Sequence, residues 1–149
     1  SVRVLSIYVW HGKAYLPAIA QDESGVFVVT DPVYIANLDP EELLAAAETV
    51  LSMGHPHVPR PTREEVHKRR DPVLTATKAR SWKELARTGA SYTADWTDRE
   101  IRVDMSRLDK KGRWEYDPNK VRLFPPDTPL LEIVAVILED IQSRPEVWQ

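Results

Sequence analysis

The sequence has no cysteine, which removes a disulfide framework, a thiol nucleophile and a thiolate metal site in one step. No apolar run comes near the roughly 20 residues that cross a bilayer. The longest, Ile133 to Leu138, is the length of a helix core. Motifs that announce chemistry are also missing: neither GxGxxG nor a P-loop occurs, and there is no HExxH. With four histidines in the chain, no Ser-His-Asp arrangement can be picked out without geometry. The opening SVRVLSIYVW carries one Arg and lacks the basic-then-apolar form of a secretory leader, so the expected location is the cytoplasm. No catalytic residue, cofactor, resident metal or membrane partner is expected.

What is present fits one core. A chain of 149 residues buries roughly two-thirds of its extended surface and is too short for two ordinary domains. Apolar content of 42% with five Trp and five Tyr is that of a globular protein. The net charge of −3 is unevenly spread: residues 1–54 carry −5, residues 55–90 carry +5 and residues 91–149 carry −3. A basic centre between acidic ends bears on partners and encounter rates rather than on fold.

The stretch from Gly54 to Pro72 holds four of the twelve prolines and three of the four histidines, and reads as the joint between two halves. Ahead of it, Val2 to Trp10 and Ala14 to Ala20 form a hairpin across His11 and Gly12. Val26 to Val29 and Val33 to Leu38 continue the sheet, with Pro32 marking a bulge, kink or edge. The first helix follows: Asp39 caps it, Pro40 takes the first position, Glu42 reaches back to the cap, and Gly54 ends it.

Beyond the joint, Thr62 and Glu65 open one or two turns of solvated helix, and Val73 to Ala79 reads as extended. A short helix from Ser81 to Gly89 turns Trp82 and Leu85 inward. Three strands then follow, the clearest being Glu100 to Leu108, where Ile101, Val103 and Met105 alternate with Arg102, Asp104 and Ser106. Asp109 to Gly112 is a charged hairpin turn. Asp127 and Thr128 cap a last helix whose apolar face is Leu130, Val134, Ile137, Leu138 and Ile141.

The expected architecture is therefore α+β, a single compact domain over residues 1–149. Two βββα-like halves, residues 1–54 and 80–149, form an antiparallel sheet with helices packed on it, and a basic, Pro-rich linker, residues 55–79, joins them. The halves match in physical roles more than in identities, which leaves both a true repeat and a shared capping grammar open.

Candidate functional residues fall into three groups. His55, His57 and His67 are a metal reading, opposed by the extended backbone that Pro56 imposes, which throws His55 and His57 to opposite sides. Arg60, Arg63, Lys68, Arg69 and Arg70 are a phosphate-contact reading, diluted by Glu64, Glu65 and Asp71 and lacking interleaved aromatics. Asp95, Asp98, Glu100 and Asp104 read as strand surface. Of the tryptophans, Trp82 and Trp96 read as core or semi-core anchors, whereas Trp10, Trp114 and Trp148 lie where a Trp serves an interface equally well. The partner-binding residues expected are Trp114, Trp10, Asp109 and Glu115.

The stretch from Tyr15 to Val29 and on through Asp39 to Ala47 resembles the strand-strand-helix core of HicB-type antitoxins, in which a Gly-led strand precedes a capped Glu-Glu helix. It departs from that family's Gly-Asp-Thr approach to the helix. The whole chain, acidic, Cys-free and without a catalytic motif, also resembles in style the immunity proteins that neutralise bacterial toxins. These resemblances imply a non-enzymatic protein whose partner is a protein, such as a basic toxin domain. A nucleic-acid-associated protein using residues 60–70 and a metal-dependent enzyme using the histidines are the alternatives.

Overall fold

A computed structural model describes residues 2–149 of the chain. Strands Arg3–Trp10 (β1), Lys13–Gln21 (β2) and Phe27–Asn37 (β3) lead into helix Pro40–Ser52 (α1). Three short helices follow, Arg63–Lys68 (α2), Pro72–Thr77 (α3) and Trp82–Thr88 (α4). Strands Ala90–Trp96 (β4), Ile101–Leu108 (β5), Trp114–Tyr116 (β6) and Arg122–Phe124 (β7) precede helix Leu130–Gln142 (α5) and a closing 3-10 turn, Pro145–Trp148. The strands form one antiparallel sheet in the order β3-β2-β1-β4-β5, and β6 and β7 share the outer edge of β5. The fold is α+β, a single compact domain.

Alternation along the strands separates two cores. Leu5, Ile7 and Val9 of β1, Tyr92 and Trp96 of β4 and Ile101, Val103 and Met105 of β5 meet α1 and α5 on the inner face, where Leu43, Ala47, Ile133, Ile137 and Ile141 are fully buried. The opposite face carries a smaller core of Trp10, Val73, Ala79 and Leu85, contributed by β1, α3 and α4 with the turn after α3. Helices thus lie on both sides of the sheet. The end of the segment expected to be a linker, residues 72–79, supplies part of this second layer.

Local chemistry explains most of the element ends. Asp39 accepts the Glu42 N–H at 2.9 Å and Pro40 takes the first position of α1, as the sequence predicts. Glu42 turns instead to Asn37, accepting from its side-chain amide at 2.8 Å, so it ties α1 to the end of β3. At α5 the expected cap does not form: Thr128 donates to the Pro125 carbonyl at 2.7 Å, and Pro129 stands at the N-cap without a side-chain bond. Burial of its apolar face holds that helix. Residues 72–77 are helical rather than extended, because Asp71 accepts the N–H groups of Val73 and Leu74, Pro72 fits the first turn, and left-handed Lys78 (φ 65°) ends it. The cap overrides the strand preference of Val73, Thr75 and Thr77. Pro32 lies on β3, at the sheet edge, where its missing N–H breaks no inner ladder.

The joint is also spliced into the sheet. β1 and β2 pair only from Tyr8 to Trp10 on the β1 side. Continuing that register places Val4 opposite Ile19, and there the His55 imidazole sits between the strands. Nε2 accepts the Val4 N–H at 2.9 Å, and Nδ1 lies 2.8 Å from the Ile19 carbonyl, to which it donates. The Phe27 ring packs edge-on against it, with centroids 5.1 Å apart. The next residues run beside the end of β2, with Gln21 N–H donating to Pro56 and Val58 N–H donating to Gln21. Being both donor and acceptor, the ring replaces a peptide group in the gap.

Candidate functional site

Where the outer face passes from β1 to β4 and β5, its side chains turn polar: Ser91, Thr93 and Asp95, then Arg102, Asp104 and Ser106. Aromatic rings gather at one end of this surface. Tyr8 points outward from β1, opposite the inward Ile7 and Val9. Trp82 comes from α4, which Ser81 caps by accepting the Glu84 N–H at 3.1 Å. The end of α4 is pressed onto β1 at Gly89, where a Cβ would stand 2.7 Å from the Val9 carbonyl and 2.5 Å from that of Leu85. No larger residue fits there without a shift.

Trp114 and Tyr116 come from β6, which a tight turn folds back on β5. Asp109 accepts the N–H groups of Lys111 and Arg113 at 2.8 and 2.9 Å, and Gly112 supplies the positive φ of 74°. In register, Trp114 faces Leu108 and Tyr116 faces Ser106. The rings of Tyr8, Trp82 and Trp114 form a triangle with centroids 5.5, 5.9 and 6.2 Å apart. Beside them opens a cleft of about 370 Å³ whose lining adds Tyr116, Ser91, Ser106 and Glu115. Trp82 is 37% exposed and Tyr116 53%. The Trp114 indole Nε1 is buried without a hydrogen-bond partner, a condition that costs about 1–3 kcal/mol.

Acidic groups and cations alternate on this face. Burial, then the charge of Asp71 and the neighbouring Tyr116, push the Tyr8 hydroxyl up to about 12. Glu115 at the rim pairs with Arg107 at 2.6 Å. Further along, Arg102 bonds Asp104 at 3.0 and 3.3 Å, and Asp95 is held above the usual carboxylate range by burial and by the charge of Asp104. Asp104 is only 4% exposed. It is therefore not the strand-surface acid expected of it, whereas Asp98 stands in solvent and Asp95 and Glu100 are half-buried.

Of the residues nominated from sequence, Trp114 and Glu115 belong to the cleft and Asp109 builds the turn that delivers them. Trp10 does not join them: it is 8% exposed, packed in the second core, with Nε1 donating to the Thr88 hydroxyl at 3.1 Å. Its ring is spent inside the molecule because β1 runs on under α4. Trp96 is an inner-core anchor as expected, and Trp82, 37% exposed, packs against Tyr8 and Trp114 at the cleft. Tyr8, Trp82 and Tyr116 were missed as site residues. The signals were the phase of Tyr8 opposite Ile7 and Val9, and a Trp three residues before a buried Leu on a helix of two turns.

The basic residues differ in their surroundings. Arg63 and Arg69 stand in solvent on and beside α2, every residue of which is exposed. Lys68 is paired with Glu64 at 3.0 Å, the Arg60 N–H donates to Glu23, and Arg70 reaches inward to the Ala79 carbonyl at 2.6 Å. The histidines are likewise dispersed, His55 between strands and His57 and His67 exposed. Among the described residues, no three His, Asp or Glu side chains converge on one point, and no helix is long and apolar enough to cross a membrane.

No protein-family model matches the sequence, that of HicB-type antitoxins included, although the stretch resembling that family does fold as two strands and a helix, β2, β3 and α1. No curated protein matches it significantly. Solved structures do share the fold. One is a protein of unknown function, NMB0488 from Neisseria meningitidis, with a TM-score of 0.65 at 13% identity over 95% of each chain. Another is a chain of the CdiA-CT/CdiI toxin and immunity complex from Yersinia pseudotuberculosis, with a TM-score of 0.65 at 13% identity over 97% of each chain.

Proposed function

We propose that this chain is a non-enzymatic immunity protein, which neutralises a protein toxin by binding it through the aromatic cleft on the outer face of the sheet. The observation that carries the reading is the cleft itself. Two partly exposed aromatic side chains, Trp82 and Tyr116, flank Trp114, whose buried N–H has no partner. Large aromatic side chains at a desolvated centre with a charged rim are the usual composition of a binding hot spot.

Two further observations support it. The fold is that of a chain from a toxin and immunity complex. Residues 1–54, which carry −5, suit a partner of opposite charge, whose encounter they accelerate over a distance set by salt. In this reading the protein acts in the cytoplasm.

The test is protection. A tagged copy captures its partner from lysate of the source organism, the captured protein is expressed alone and with this chain, and growth is compared. Growth arrest by the partner, relieved by co-expression, is the expected result. Recovery of nucleic acid without a protein, or a captured partner whose effect on growth is unchanged by co-expression, contradicts the proposal.

A further inference from the structure

We propose that the aromatic cleft receives an arginine side chain of the protein partner. The inference rests on the immunity reading for the identity of the partner as a protein, and on the cleft alone for the chemistry. Aromatic faces attract cations, and a guanidinium does so best because it stacks flat on the ring while its edge donates hydrogen bonds. The cleft offers the rings of Trp82, Trp114 and Tyr116 as walls, serine side chains from Ser91 and Ser106, and the Glu115 carboxylate at its rim. No Lys or Arg is among its lining residues.

The rest of the molecule provides the contrast. Arginines of this chain already stack on aromatic rings elsewhere: Arg3 lies 5.0 Å from the ring centre of Trp96, Arg122 5.4 Å from Phe124 and Arg144 5.6 Å from Tyr92. The four cleft aromatics have no such cation among the described residues. They line an open volume of about 370 Å³, which exceeds what one arginine side chain fills, whereas the pocket beside Trp96 already has Arg3 in its lining.

Carboxylates on the outer face favour the same occupant, while Arg87, Arg107, Lys120 and Arg144 line the adjoining pocket that shares Trp114 and Ser106. Asp71 acts on the Tyr8 hydroxyl from one side. On the other, Asp95 and Asp104 share the single guanidinium of Arg102, about 13 Å along β4 from Ser91 at the rise of an extended strand. Arg107 holds Glu115 in an ion pair whose two side chains are 44% and 41% exposed. Exposed pairs of this kind are weak, so Glu115 is free to turn to an incoming guanidinium.

The experiment uses acetyl-(Gly-Arg)3-amide as the probe, with citrulline and lysine peptides of the same length, titrated against the whole protein and read by tryptophan fluorescence. Citrulline keeps the shape and removes the charge. Saturable binding of the arginine peptide is expected, with at least fivefold weaker binding of the lysine peptide and none of citrulline. Trp82→Ala and Glu115→Gln, each shown by urea unfolding to stay folded, are expected to weaken arginine binding at least fivefold, and Asp127→Asn, away from the cleft, to leave it unchanged. Equal binding of citrulline, an unaltered affinity in Trp82→Ala, or no saturable binding overturns the assignment. Guanidinium ion binding as tightly as the peptide also overturns it, in favour of a small free cation. Failure here with protection of cells intact removes only the arginine. Loss of protection with peptide binding intact removes the immunity reading.

Discussion

Replacing His55 by Ala is expected to destabilise the protein by about 2–5 kcal/mol, far more than its place in a proline-rich segment implies. The imidazole satisfies the Val4 N–H and the Ile19 carbonyl at 2.9 and 2.8 Å, and Val4 and Ile19 are both buried. Each backbone group left without a partner costs about 1–3 kcal/mol, and the edge contact with Phe27 adds about 0.5 kcal/mol or more. Water entering the gap recovers part of the first term, which sets the lower bound. Domains of this kind are stable by about 5–15 kcal/mol, so the variant folds with a clearly lowered midpoint. Urea unfolding followed by circular dichroism measures it, with an unchanged m-value as the sign that the native state is intact. His55→Gln, whose amide also carries one acceptor and one donor, is expected to recover part of the loss, and the exposed His57→Ala to cost under about 0.5 kcal/mol. A loss below about 1 kcal/mol in His55→Ala, or equal losses at both histidines, refutes the idea that this ring bridges the strands.

Three other outcomes follow from the same packing. Trp114→Phe removes an unpartnered buried N–H while opening a small cavity, so its stability is expected within about 1 kcal/mol of wild type; Trp10→Phe, which breaks the bond to Thr88, costs at least about 1 kcal/mol more, and equal costs measured by urea unfolding contradict the contrast. Asp140 accepts from Tyr92, Lys120 and Arg144 at 2.6–2.8 Å; burial raises its carboxyl, and these donors together outweigh burial and hold it below the usual value. The folded state therefore binds this proton more weakly than the unfolded state, so the stabilisation is complete above the ordinary Asp range near pH 4 and disappears as pH falls through the folded value. Asp140→Asn is expected to cost about 3 kcal/mol at pH 7 and progressively less below pH 4; a difference from wild type that persists unchanged to pH 2 contradicts it. Brief trypsin digestion is expected to cut first at Arg63 or Arg69, both exposed, leaving fragments that stay associated because His55 and Val73 are held on either side. Protection of both sites, or fragments that separate, counts against that arrangement.

Much of the fold is written locally. Asp39 and Pro40 announce α1, the alternation of Ile101, Val103 and Met105 announces β5, and Asp109 with Gly112 announces the hairpin, since each signal acts within a few residues. What the chain does between Gly54 and Gly89 is not local. Proline and positive charge there look like a linker, yet the segment covers the second face of the sheet, because Val73, Ala79 and Leu85 meet Trp10 across more than sixty residues of sequence. His55 escapes sequence reading for the same reason: its partners, Val4 and Ile19, are distant in sequence, and nothing in a Gly-His-Pro run specifies the gap that it fills. The site is half legible. Trp114 stands out as an aromatic beside a charged turn, but whether Trp10 or Trp82 joins it depends on where α4 docks.

The central claim is that a protein partner is held by the aromatic cleft and guided by charge. Binding kinetics with the captured partner test it most directly, using wild type, Trp114→Ala and a variant with the exposed Glu23, Glu41 and Glu48 neutralised, all shown by circular dichroism to be folded. A buried aromatic anchor carries about 2 kcal/mol or more, which corresponds to roughly 30-fold in affinity. The account predicts dissociation from Trp114→Ala about 30-fold faster with association little changed, and slower, less salt-sensitive association for the neutralised variant with dissociation unchanged. Wild-type dissociation from Trp114→Ala would contradict it.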